Sequence, residues 1–348
     1  MSIIEHVVQA VLKARPAPGF DIEEVAGREP GPGEVLLRVV AASICGTDVH
    51  LFDWNPWAAA RVRPPRIVGH EMGGEVLAVG SGVDGLTQGD LVAVESHVVC
   101  GACPECRRGD LHVCRNTRIL GVDVDGVFSG SVVLPRSNLH PIAGLSAELC
   151  ALMEPFGNAV HACSTGSMRG AAVAVLGCGP IGCAAVAIAK AEGARVIVAT
   201  DLNPYRLELA ERMGADHVLR AGPDMEAGLL RAAGGPLDCV LEMSGAAAAV
   251  AAGVRAVRPG GWISLLGIGD HEVRLDLTRD VVMKGVTLQG VVGRRPDTWR
   301  ATLDFVAGGR VDVTPLLTHR FALDEVDGAI ELIKSGRCGK VVLVPNGA

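Results

Sequence analysis

The stretch Val173-Ala-Val-Leu176-Gly177-Cys178-Gly179-Pro180-Ile181-Gly182 runs from a short apolar segment into a glycine-spaced turn, and an alanine-rich segment, Cys183–Glu192, follows it. Read as strand, turn and helix, it brings the free N–H groups of a helix N-terminus against a turn stripped of side chains, where a pyrophosphate can sit. Glycine is abundant here, at 45 residues, so the G-x-G-x-x-G spacing is weak alone. What strengthens it is the context, a strand before, a helix after and an acid, Asp201, at the end of the next strand about 20 residues on. Asp201 is placed to accept from ribose hydroxyls and to repel a 2′-phosphate, which favours NAD over NADP. Arg206 leaves alternatives open: it could bind a phosphate, lie along an adenine or pair with Asp201, and either residue could be a solvated charge at a helix end.

Outward from this motif, apolar runs at Val173–Leu176, Arg195–Ala199, Cys239–Glu242, Trp262–Leu266 and Thr287–Val292 alternate with helical stretches such as Cys183–Glu192 and Pro204–Met213. That order predicts βαβ units and a doubly wound parallel sheet of the Rossmann kind over residues 157–295. Upstream, Glu34–Val40 follows the turn Pro30-Gly31-Pro32-Gly33, and short apolar runs recur at Gly74–Val79, Leu91–Val94 and Val132–Leu134. These predict a β-rich domain whose loops hold the polar residues. Joins near Phe156 and Pro296 make this domain residues 1–156 and 296–348, and the fold class α/β. There is no internal repeat or low-complexity tract.

Composition narrows the function classes. The 348 residues suffice for two domains, and no uncharged apolar run reaches the ~18 residues of a membrane span, so a soluble chain is expected. The N-terminus lacks the basic and apolar regions of a secretory signal, which points to the cytoplasm. A formal charge of −7 disfavours nucleic acid as a partner. Eleven cysteines in such a chain fit a reducing compartment, where thiols serve metals or chemistry more often than disulfides.

Four of them, Cys100, Cys103, Cys106 and Cys114, have C-x2-C-x2-C-x7-C spacing. Four thiolates can close a tetrahedral shell around one zinc with no open position, a structural site in a lobe at about residues 97–116. An iron–sulfur cluster is the rival, disfavoured because no proline follows Cys114. Arg107, Arg108 and Arg115 could offset the charge of the thiolates. Cys150, Cys163, Cys178, Cys183, Cys239 and Cys338 have no ligand spacing and read as small buried residues.

A second set is dispersed: Cys45-Gly46-Thr47-Asp48-Val49-His50, Gly69-His70-Glu71 and Met153-Glu154-Pro155. Each fragment alone is weak, since a lone histidine or cysteine is more often core or surface than ligand. Together they supply a thiolate, an imidazole and two carboxylates, suited to a zinc with three firm ligands and one exchangeable position. Removing hydride from a secondary carbinol requires the hydroxyl proton to leave, and a Lewis acid makes that accessible at neutral pH. Thr47 and His50 lie near enough to Cys45 to pass that proton to water.

On these residues the chain resembles the zinc-containing medium-chain alcohol dehydrogenases over nearly its whole length. The likeness rests on Cys45–His50, Gly69–Glu71, the four-cysteine lobe and Gly177–Gly182. A narrower resemblance, to the threonine-oxidising branch, rests on His50–Trp57, Glu154–His161, Tyr205–Ala210, Gly290–Trp299 and Gly339–Leu343. It implies a GroES-like catalytic domain joined to the Rossmann domain, an active site in the cleft between them, two zinc ions per subunit, NAD as cofactor and a homotetramer. It assigns Cys45, His70 and Glu71 to the catalytic zinc, Thr47 and His50 to the relay, and Glu154 to a zinc-adjacent role in proton transfer, with Glu71 and Glu154 both candidate ligands. It also puts Ile181, Asp201 and Arg206 on the cofactor, Leu266, Gly267, Ile268, Val291 and Val292 beside the nicotinamide half, and His97 toward the substrate. The lead Met1–Val8, Gly130-Ser131 and the Arg/Pro-rich Ala58–Pro65 depart from the family pattern and bear on the pocket rim or subunit contacts. Rival readings are a polyol, butanediol or amino-alcohol dehydrogenase of the same family and, more distantly, a silent nucleotide-binding zinc protein.

Overall fold

In the computed structural model the described residues are 7–269 and 272–345. Most of the atypical lead, up to His6, lies outside them. The chain divides into two compact units, one running to Glu154 and resuming at Leu317, the other Pro155–Leu316.

The first unit is built around the strand Glu34–Ser43, whose side chains are mostly buried. It pairs with Glu71–Val79 on one side and Lys340–Val344 on the other, in a seven-stranded sheet that also contains Leu139–Pro141, Leu91–Val94, Leu317–Ala322 and Ser131–Pro135. The pairing is antiparallel, and its register sets Ser43 opposite Glu71 and opposite Val342. Three strands therefore meet at one point. Ser43 leads through Ile44 and Cys45 into the helix Gly46–Asp53, while His70 immediately precedes Glu71. A smaller sheet of Val7–Lys13, Asp21–Ala26 and Arg66–Ile67 lies in the same unit.

Phe128 fixes the turn before Glu71. Gly69 has φ +86, a conformation that side chains disfavour, and a Cβ there would stand 2.1 Å from the Phe128 ring. The buried ring fills the space that a side chain at position 69 would need.

The second unit holds a six-stranded parallel sheet in the order His217–Arg220, Val196–Asp201, Ala172–Leu176, Leu237–Glu242, Val257–Leu265, Thr287–Gly290. The chain starts in the middle at Ala172–Leu176, winds to one edge and returns to wind to the other. The strand order thus reverses beside Ala172–Leu176, where open α/β sheets place ligands at the C-terminal strand ends. Asp201 ends its strand, as read from the sequence, whereas other bounds shift: the strands read from Cys239 and Trp262 begin at Leu237 and Val257, and the last ends at Gly290, although the Val291 amide still donates to Leu265 O at 2.9 Å. The helix Pro296–Ala307, read from sequence as part of the returning tail, packs in the second unit. Its buried Trp299 and Phe305 are the cause, and the Phe305 ring lies edge-on to Phe156 at 6.4 Å.

No helix among the described residues is long and apolar enough to cross a membrane. Truncating Phe128 to alanine is expected to destabilise the first unit by about 3–5 kcal/mol. Urea unfolding followed by near-ultraviolet circular dichroism measures it, and a loss below ~1 kcal/mol would contradict the role given to the ring.

Candidate active site

The meeting point of the three strands gathers the dispersed donors. The Cys45 sulfur, a ring nitrogen of His70 and a carboxylate oxygen of Glu71 all lie within 4.8 Å of one another, with His70 and Glu71 buried. One thiol, one imidazole and one carboxylate in such a cluster are a donor set that fits zinc. Asp48, wholly buried, stands behind them. It accepts from the Cys45 amide at 2.8 Å, and its other oxygen lies 3.8 Å from His70 Nδ1. Those two facing atoms, Asp48 Oδ1 and His70 Nδ1, have no hydrogen bond in the structure. A carboxylate behind a ligating histidine orients the ring and raises its basicity.

The electrostatics of the cluster favour a positive charge among these groups. Burial opposes a charged imidazole, but Asp48, Cys45 and Glu71 hold the proton on His70, which is raised to about 10. Burial likewise pushes Asp48 up, against the attraction of His70. A divalent cation among these groups would replace the proton. Lys340, itself buried, donates to Glu71 Oε2 and to Ile44 O at 2.9 Å, and Ser43 Oγ donates to the same Glu71 oxygen. Burial works against the Lys340 charge, and Glu71, Cys45 and Glu154 restore it, so its pKa is raised. That coupling also places Glu154 in the field of the cluster. Glu154 is buried and accepts from Ser96 Oγ at 2.5 Å.

Thr47 and His50 share one helix, Gly46–Asp53, at the i, i+3 spacing that puts side chains on one face. Thr47 Oγ1 lies 3.9 Å from the Cys45 sulfur, and His50, exposed, pairs its Nδ1 with Asn55 Nδ2 at 3.1 Å. The pair therefore runs from the cluster to the surface. His97 is half-buried in the strand His97–Val98, and its amide donates to Glu95 at 2.8 Å.

In the cysteine lobe the sulfurs stand 3.4 Å (Cys103–Cys106), 3.7 Å (Cys103–Cys114) and 3.6 Å (Cys114–Cys100) apart. A regular tetrahedron with Zn–S near ~2.3 Å has edges of ~3.8 Å, whereas a disulfide is ~2.05 Å. The spacing matches one small ion enclosed by four thiolates, and leaves no room for an iron cluster inside. The Ala102 amide, then Asn116 and the Cys103 amide, lower the Cys100 thiol to about 6. Arg115 makes a two-pronged bond to Glu105 at 2.9 and 2.8 Å, and Arg108 faces Glu105 and Asp110. The charge of these arginines thus goes largely to neighbouring acids. Cys150, Cys163, Cys178, Cys183, Cys239 and Cys338 are all buried, and none is in a disulfide.

In the second unit Gly177 has φ +93, and Gly179 caps the helix Pro180–Ala191, whose first turn holds Pro180, Ile181 and Gly182. A Cβ on Gly182 would stand 1.9 Å from Gly177 O, so only glycine lets the helix start this close to the strand. Asp201 is buried at its strand end, with one oxygen accepting from the Cys178 amide at 2.7 Å and the other from Asn203 at 2.9 Å. Arg206 is half-buried, and its Nε has no hydrogen-bond partner. The amides of Leu266 and Gly267 donate to Glu242 O. Ile268 is 98% and Val292 52% exposed, whereas Val291 is buried.

Sequence reading missed Ser43, Asp48, Ser96, Lys340 and Glu242. Asp48 had a local signal, three residues after Cys45 at the third position of its helix. Glu242 accepts from the amides of Ser244 and Gly245, and a Cβ on Gly267 would reach within 2.0 Å of Gly245 N. It braces a crevice of close backbone contacts.

The sequence matches the alcohol dehydrogenase GroES-like domain over residues 31–144 and the zinc-binding dehydrogenase family over residues 180–308. The L-threonine 3-dehydrogenase of Symbiobacterium thermophilum is 44% identical over 98% of this chain and 99% of its own. A zinc-binding dehydrogenase from Sinorhizobium meliloti bound to NADP superposes with a TM-score of 0.90 at 29% identity, over 98% of this chain and 100% of the other. An Escherichia coli alcohol dehydrogenase complexed with NADH also gives 0.90, at 26% identity and the same coverage. The chain therefore belongs to the zinc-binding dehydrogenases that carry an alcohol dehydrogenase GroES-like domain, and is an oxidoreductase.

Proposed function

We propose that the protein is an L-threonine 3-dehydrogenase, oxidising L-threonine to 2-amino-3-oxobutanoate with NAD⁺ as acceptor. The observation that carries the reading is the cluster of Cys45, His70 and Glu71 at a shared strand end, in a chain so close over its full length to a relative of that name. Two zinc ions per subunit are part of the reading, supported by two donor sets, Cys45, His70 and Glu71 in one and the four-cysteine lobe in the other. When bound at the first set, zinc supplies a Lewis acid that lowers the pKa of a secondary hydroxyl. NAD⁺, when bound, would supply the acceptor for the hydride of the substrate C3–H bond.

The residues perform the rest. Asp48 holds His70 in place, and Lys340 and Ser43 tether one oxygen of Glu71, so that Glu71 competes weakly as a ligand and can give way to Glu154. Glu154 is positioned by Ser96 in the proton-transfer role. Thr47 takes up the hydroxyl proton as it gives its own to His50, which returns it to water. In the second unit Gly177, Gly179, Pro180, Ile181 and Gly182 form the pyrophosphate turn. Asp201, with lone pairs to spare beyond its two amide bonds, accepts from the adenosine ribose and favours NAD, while Arg206 lines the adenine side. Leu266, Gly267, Ile268, Val291 and Val292 serve the nicotinamide half, and His97 faces the substrate. A homotetramer in the cytoplasm completes the reading, the compartment supported by eleven cysteines of which none is in a disulfide.

A substrate panel tests it. L-Threonine is expected to give the highest kcat/KM, and 2,3-butanediol or sorbitol exceeding it tenfold would overturn the assignment. Within the site, Asp48→Asn is expected to lower activity or metal affinity by about 10–100-fold, as loss of a histidine-orienting carboxylate does. Steady-state kinetics over a zinc titration measure this, and wild-type values would remove Asp48 from the site.

A further inference from the structure

Lys13 has no part in the chemistry above, yet it is among the largest fully buried side chains of the protein. Lysine is seldom buried completely, because its charge loses hydration. Here the ammonium is rehydrated by backbone. It donates to Ala17 O at 2.6 Å, Gly19 O at 2.8 Å and Phe52 O at 3.3 Å, using all three hydrogens. Its nitrogen also lies 5.4 Å from the centre of the Phe20 ring and 5.2 Å from that of Trp54.

These partners come from two places. Ala17, Gly19 and Phe20 belong to the turn between the first two strands; Phe52 and Trp54 are the C-terminal end of the helix Gly46–Asp53. The negative end of a helix dipole favours a cation there. The Gly19 amide also donates to Phe52 O at 2.8 Å, and the Phe20 and Phe52 rings meet edge-on at 5.3 Å. Trp54 ends the helix in the left-handed conformation, φ 51. Lys13 is also opposite Arg66 in register, and the strand Arg66–Ile67 leads within three residues to His70.

We infer that Lys13 is a positioning residue of the proton path, its ammonium fastening the end of the helix that carries Thr47 and His50 to the first hairpin. The inference rests on the relay reading of Thr47 and His50. A methionine would fill the same volume between the rings, so the charge is what the site retains. Burial pulls Lys13 down to about 8 against the pull of Asp21 and Asp53, with Arg15 also lowering it, and the ammonium is still protonated at neutral pH. Without it, Ala17 O and Gly19 O lose the ammonium, Phe52 O keeps only the Gly19 amide, and the C-terminal turn of the helix is held less firmly.

The test compares Lys13→Met with His50→Ala in the zinc-loaded enzyme. Lys13→Met is expected to keep zinc content, NADH affinity and KM for L-threonine. Its kcat should fall about ten- to a hundredfold, as expected for a misplaced reactive group. Its solvent deuterium isotope effect on kcat should rise, and added imidazole should restore part of the rate. A merely structural lysine would lower the melting temperature and leave the isotope effect and imidazole response as in wild type; that result overturns the inference. If Lys13→Met does not fold, Trp54→Gly keeps the left-handed turn, removes one ring beside the ammonium, and is expected to show the same signature to a smaller degree. His50→Ala separates the two claims. If it turns over like wild type, the relay reading fails and the inference with it; if it is impaired while Lys13→Met and Trp54→Gly behave normally, the inference alone fails.

Discussion

A buried concentration of negative groups must be balanced, and that electrostatic demand organises the first unit. Cys45, Asp48, Glu71 and Glu154 lie near where three strands meet, and Lys340 and the His70 imidazole face them. Charges this deep are costly unless paired, so each is held by a specific neighbour. The register that sets Ser43 opposite both Glu71 and Val342 is what brings Lys340 to Glu71. The Phe128 ring against Gly69 is what turns His70 toward Cys45. A divalent cation satisfies the same demand as the His70 proton and adds chemistry.

The second unit meets a different constraint, close approach of backbone to backbone. Gly177 and Gly182 allow a helix to begin against the end of the first strand, and Asp201 draws the turn inward by accepting from the Cys178 amide. Gly245, Gly267 and Gly269 pack main chain on main chain at the neighbouring strand ends, with Glu242 tying Ser244 and Gly245. The result is a surface of close-packed main chain and small residues, with a helix N-terminus at Gly179, at the point where the strand order reverses, which suits a large, flat, anionic cofactor.

Much of this was legible in the sequence because its signals are local. The strand, glycine turn and helix at residues 173–192 occupy one continuous stretch, and the four lobe cysteines lie within fifteen residues of one another. His70 and Glu71 are adjacent, and Thr47 and His50 stand one helical turn apart. The hidden parts lack local spacing. Lys340 and Glu71 are 269 residues apart and meet only through sheet pairing, and Ser96 reaches Glu154 across 58 residues. Helix Pro296–Ala307 follows a loop-rich stretch that reads as a domain join, and only its packing of Trp299 and Phe305 assigns it to the second unit. The start of one strand was also misjudged, because Arg258, Pro259, Gly260 and Gly261 break the apolar pattern between Val257 and Trp262 within the strand Val257–Leu265.

The claim on which the account turns is a second zinc, held by one sulfur and not four. X-ray absorption at the zinc K edge of the active enzyme tests this directly. Equal occupancy of a four-thiolate centre and of the Cys45, His70 and Glu71 centre predicts an average of about 2.5 sulfur neighbours per zinc, with nitrogen or oxygen making up the remainder. A spectrum of four sulfurs alone, from enzyme that turns over L-threonine at full rate, would contradict it.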